Sequence, residues 1–94
     1  MTETAELLDT RAKTHGSFAD NARIAQRLRA FWRSEADGWM DMTLVQREAL
    51  DVIALKISRI LSGQGGFADH WDDIAGYAKL ASKEIEQCQT KKSS

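Results

Sequence analysis

The stretch Thr43–Leu61, TLVQREALDVIALKISRIL, is followed by Ser62-Gly63-Gln64-Gly65-Gly66 and then by Asp69–Ile85, DHWDDIAGYAKLASKEI. Thr43 with Gln46 three residues on has the form of a capping box, which satisfies two backbone amides that a helix start leaves unpaired. Leu44, Leu50, Ile53, Ala54, Ile57, Ile60 and Leu61 then recur with helical period, so the first run reads as the most buried helix of the chain. Five turn-forming residues at 62–66 let the chain reverse. Beyond them Asp69 is placed to cap a further helix, on which Trp71, Ile74, Ala78, Ala81 and Ile85 form one apolar stripe. The two runs together predict an antiparallel helical hairpin.

Working outward, the chain contains no proline, and helix is the default reading of the remainder. A first helix is expected over about Thr4–His15, with Ala5, Leu7, Leu8 and Ala12 as a thin apolar face and Gly16 as its left-handed cap. A second opens at Ser17 and carries Phe18, Ala22, Ala25, Leu28 and Trp32 toward the interior. Ser34–Met42 reads as a loop containing Gly38, with Trp39 and Met40 packing back onto the domain, and the tail frays from about Thr90. The fold class is therefore all-α, a four-helix single domain over residues 1–94.

Ninety-four residues can bury only a small core, so reinforcement is expected. A single cysteine, Cys88, allows no intrachain disulfide and no Cys/His metal spacing. That leaves oligomerisation, with paired chains completing a helical bundle, and points to a reducing, cytoplasmic setting. No apolar run approaches the ~20 residues of a membrane span, and the acidic start of the chain does not resemble a secretion signal.

The formal net charge of -1 conceals an asymmetry. Residues 1–34 hold six Lys/Arg against four Asp/Glu, a balance of +2, and residues 35–94 hold seven against ten, a balance of -3. Neither half has the basic excess with which phosphate neutralisation marks nucleic-acid binders. Arg23, Arg27, Arg29 and Arg33 are the only grouping that could serve such a partner, so nucleic acid is not the expected ligand.

The charged residues of the hairpin share faces. At about 100° per residue, Glu48, Asp51 and Arg59 fall in one sector of the third helix with Lys56 beside it. On the fourth, Asp69, Asp72, Asp73 and Gly76 cluster opposite Trp71 and Ala78. Acid rows on neighbouring helices can hold a divalent cation, and Lys56 and Arg59 can bind phosphates. The same acids also satisfy a helix amino terminus, and the same cations can simply pair with them. A glycine inside a helix costs about 1 kcal/mol against alanine, so Gly76 suggests close approach by a ligand or partner.

The run Leu55-Lys56-Ile57-Ser58-Arg59-Ile60, a short turn, then Asp69-x-x-x-Asp73-Ile74-Ala75-Gly76-Tyr77-Ala78 resembles a family of small phage and prophage proteins with K-x-x-R followed by D-x-x-x-D-I-A-G-Y-A. Thr14-His15-Gly16-Ser17-Phe18 with Asn21-Ala22 is similar to that family's amino-terminal segment, so the likeness spans about Arg11 to Ala81. More distantly, the chain is similar to the MazG-like all-α nucleoside-triphosphate pyrophosphohydrolases, which carry E-x-x-E on one helix and E-x-x-D on the next. Glu48 and Asp51, then Asp69 with Asp72 or Asp73, hold the matching places, with aspartate shortening the reach by one methylene where it replaces glutamate.

This resemblance implies a magnesium ion held by Glu48, Asp51, Asp69, Asp72 and Asp73, and phosphates on Lys56 and Arg59. It further implies catalysis by Glu48, Asp51, Asp69 and Asp73, releasing nucleoside monophosphate and pyrophosphate. The alternative it leaves open is a non-catalytic phage accessory protein that binds a nucleotide or blocks a host protein.

Overall fold

The computed structural model describes residues 17–35 and 37–93. The helix expected over Thr4–His15 lies outside the described residues. Among those described there are four α-helices and no strand: α1 (Phe18–Glu35), α2 (Gly38–Asp41), α3 (Leu44–Arg59) and α4 (Ala68–Ser93). A π-helical turn, Ile60–Gln64, ends α3.

Local chemistry explains most of the boundaries. The Ser17 hydroxyl accepts from the Asp20 amide at 3.5 Å, at the start of α1. Thr43 and Gln46 form the reciprocal cap at the start of α3, with the Thr43 amide donating to the Gln46 side chain at 2.9 Å and the Gln46 amide to the Thr43 hydroxyl at 3.2 Å. At the other end of α3 the Ser58 and Ser62 hydroxyls donate to the Leu55 and Ser58 carbonyls at 2.6 and 2.7 Å. Such back-bonding loosens a helix near its end. Gly63 then adopts φ 110°, a left-handed conformation that costs a glycine nothing. Trp71 closes the turn by donating its indole N–H to the Gly65 carbonyl at 2.9 Å.

α3 is the centre of the arrangement. Both α1 and α4 pack against it, and far less against each other. Small residues at the contacts (Ala25 on α1; Ala49, Ala54 and Ser58 on α3) let the helices approach closely, and all four are buried. The result is an arrangement in which α1 and α4 are each held by α3. On the α3–α4 side, Lys56 meets Asp73 and the Thr43 hydroxyl meets Glu84 at 2.5 Å. Glu84 thus lies opposite the start of α3, and residues 85–93 of the 26-residue α4 continue past it.

Two ion pairs orient the arrangement. Arg33 on α1 reaches Asp51, and Lys56 reaches Asp73 on α4. Following each helix round from those contacts places Arg29, Arg33, Glu48, Asp51, Lys56, Arg59, Asp69 and Asp73 on one side, the front. Ile24, Leu28 and Phe31 of α1, Leu50 and Ile57 of α3 with Leu61 of its π turn, and Trp71, Ala78 and Ile85 of α4 fall on the other, the back.

Several expectations are corrected. Ser34 and Glu35 belong to α1, and residues 38–41 form a short helix, because Arg47 draws that segment onto α3 by donating to the Trp39 carbonyl at 3.0 Å and the Met40 carbonyl at 2.8 Å. Trp39 does pack back, lying between the guanidinium groups of Arg33 and Arg47 at 5.2 and 5.8 Å from its ring centre, but Met40 points outward at 73% exposure. Phe18, expected toward the interior, is exposed at the start of α1. Asp69 is in the first turn of α4 rather than its cap, and α4 runs to Ser93. The α4 stripe is only half used: Ile74 and Ala81 are partly covered, whereas Trp71, Ala78 and Ile85 are exposed.

Candidate functional site on the charged face of α3 and α4

α3 and α4 place Lys56 and Asp73 directly across from each other, with Nζ and Oδ2 2.7 Å apart. The lysine is largely covered and the carboxylate half exposed, so the pair sits at the lip of the helix contact. The hydrogen bond from Lys56 holds the Asp73 carboxyl below its ordinary 3.8; desolvation opposes this, and the positive charges of Lys56, His70 and Arg59 add to the lowering in smaller measure. Arg59, one turn beyond Lys56, is thus close enough to act on the same carboxylate. Its Nε is buried and has no hydrogen-bond partner.

Beside this pair the front of α4 carries an open hollow of about 230 Å³, lined by Asp72, Asp73, Gly76, Tyr77 and Leu80. A Cβ at Gly76 would meet nothing within 4 Å. The glycine therefore serves no close packing inside the chain; it leaves the floor of the hollow bare. One end of the hollow is acidic and adjoins Lys56, while the other is apolar, formed by Tyr77 and Leu80.

Asp51 faces elsewhere. Arg33 donates to its Oδ2 at 2.8 Å, Arg29 Nε lies 3.8 Å from Oδ1, and Arg29 Nη2 donates to the Asp51 backbone carbonyl at 3.0 Å. It is the anchor by which α1 is fastened to α3. Arg29 and Arg33 were legible only as members of an arginine grouping on the second predicted helix; nothing local in the sequence links them to Asp51. Arg23 pairs with Asp20 at 3.1 Å, so three of the four arginines considered for a nucleic-acid contact are held by carboxylates.

Glu48, Asp69 and Asp72 are exposed. Among the described residues no group of three or more His, Cys, Asp or Glu side chains is placed to hold a metal ion. The carboxylates named for magnesium turn to different partners, Asp51 to the α1 arginines and Asp73 to Lys56. Cys88 is exposed and free. No described helix is long and apolar enough to cross a membrane.

A small all-α protein with a charged face across α3 and α4 is the class that fold and site define. Within that class the chain belongs to the family described as domain of unknown function DUF6378, whose model matches residues 1–85. No curated protein and no solved structure matches it.

Proposed function

We propose that the front of α3 and α4 binds a nucleotide, with Lys56 and Arg59 taking the phosphates and the hollow over Gly76 receiving the base against Tyr77 and Leu80. The observation that carries this reading is the junction of two chemistries. A lysine and an arginine with an unpartnered Nε adjoin an open hollow whose far wall is an aromatic ring and an aliphatic side chain. A triphosphate can displace Asp73 from Lys56 because the carboxylate is half exposed and regains water on release. Base stacking on an aromatic side chain contributes about 1–3 kcal/mol and tolerates any base.

A thermal-shift screen of nucleoside triphosphates tests the reading, since a ligand that binds only the folded chain raises its apparent stability. Stabilisation by triphosphates that is lost in Lys56→Met and Arg59→Met and weakened in Tyr77→Ala is the expected result. No shift with any nucleotide would overturn it.

A second reading is favoured by the meeting of K-x-x-R with Asp73: hydrolysis of the bound triphosphate to monophosphate and pyrophosphate, as in the enzymes the sequence distantly resembles. Pyrophosphate release that requires magnesium and disappears in Asp73→Asn, with helix content unchanged, would establish it. Binding without release leaves the protein a nucleotide-binding accessory factor.

A further inference from the structure

We infer that the apolar back of this arrangement is the face on which two copies of this chain meet. Among the described residues the fully covered apolar side chains are Ala25, Ala49 and Ala54, and the largest side chain wholly shielded from water is that of Ser58. Side chains this small cannot hold a domain together, because burial is worth only about 25 cal/mol per Å² of apolar surface. The large apolar groups are on the outside. Phe31 is 63% exposed, Leu61 64%, Trp71 55% and Ile85 42%, and all four fall on the back.

These four, spread over α1, the π turn and α4, offer roughly 450 Å² of apolar surface, a size that on soluble proteins often marks a functional surface. With the half-buried Leu28, Leu50, Ile57 and Ile74 around them the face approaches the ~800 Å² per partner of a stable interface.

The pattern on α4 points to a second copy as the occupant. Trp71, Ala75, Ala78, Ser82 and Ile85 succeed one another in steps of four, three, four and three, the spacing of a seam along a partner helix. The series is bulky at both ends, where Trp71 and Ile85 each stand seven residues from Ala78, and small in the middle. An antiparallel copy therefore brings Ala78 against its own equivalent, where two α4 helices can approach closely, and sets Trp71 beside Ile85 of the partner subunit. Such two-fold, self-complementary contact is how a chain pairs with itself. The net charge of -1 opposes this pairing little. The charged front stays open in the pair, so this inference stands independently of nucleotide binding.

The test is the mass of the full chain in solution, followed by one cross-link. The expected particle has twice the 10.5 kDa of a single chain. Ala78→Glu should halve that mass while the far-ultraviolet helix signal persists, whereas Lys79→Glu, off the seam, should leave it paired. In a Cys88→Ser background, Ala78→Cys should form a disulfide-linked dimer on mild oxidation. A full chain that remains at the single-chain mass at all concentrations overturns the inference, whatever else covers the face. So does a paired chain that neither Ala78→Glu separates nor Ala78→Cys cross-links.

Discussion

Replacing Asp51 by asparagine separates a packing role for this carboxylate from a metal-binding one. The substitution keeps size and shape and removes one charge. Arg33, half exposed, loses an ion pair of 2.8 Å worth about 0.5–1 kcal/mol in its wet surroundings. Arg29 is better covered and retains only the 3.0 Å bond to the Asp51 backbone carbonyl, so leaving its charge unbalanced costs about another 1 kcal/mol. The expected destabilisation is therefore about 2 kcal/mol, a fall of roughly 1–2 M in the urea midpoint for a domain of this size. The assay is urea unfolding by circular dichroism at one fixed protein concentration, in EDTA and in magnesium. A cycle with Arg33→Met should show that the two losses are not additive. An Asp51→Asn chain within ~0.3 kcal/mol of the parent would refute the reasoning. So would magnesium that stabilises the parent but not the variant, since the carboxylate would then be serving a cation.

Three further expectations concern the elements that hold the site. Asp73 has a lowered folded-state pKa, so the Lys56–Asp73 pair contributes stability that is fully present above the ordinary 3.8 and is lost as pH falls through the lower folded value. The stability gap between the parent and Lys56→Met should thus be constant near neutrality and close in acid, and a gap unchanged down to pH 2 contradicts the pairing. Arg47→Met removes two charged hydrogen bonds to the Trp39 and Met40 carbonyls, at a cost of about 2 kcal/mol, and should red-shift tryptophan emission as Trp39 is released. Gly63→Ala should cost about 1 kcal/mol from its φ of 110° alone, because nothing lies within 4 Å of an added Cβ; a neutral result would place the turn in another conformation.

What the sequence made legible was local. The Thr43–Gln46 cap, the glycine reversal and the helical period of α3 each depend on residues within a few positions of one another, and each is found. Pairing of Lys56 with an acid of the next helix was among the readings the sequence offered, yet the partners of Asp51 were not, because a helical wheel does not say which neighbour lies on which side. Asp51 is claimed by arginines 18 and 22 residues away, an association set by how α1 settles on α3. The α4 stripe failed for a related reason. Periodicity identifies apolar surface, but only the half holding Ile74 and Ala81 is covered, and the half with Trp71, Ala78 and Ile85 is left outside. Gly76 was read as a place where a ligand or partner could approach closely, and the space above it is open within the chain.

Calorimetric titration of the full chain with a nucleoside triphosphate in EDTA examines the charged front most directly. Binding by the parent, abolished in Arg59→Met and weakened at least tenfold in Lys56→Met, is the outcome that Lys56 and Arg59 as phosphate ligands require. Equal affinity in parent and variants, or no heat of binding in any of them, would contradict it.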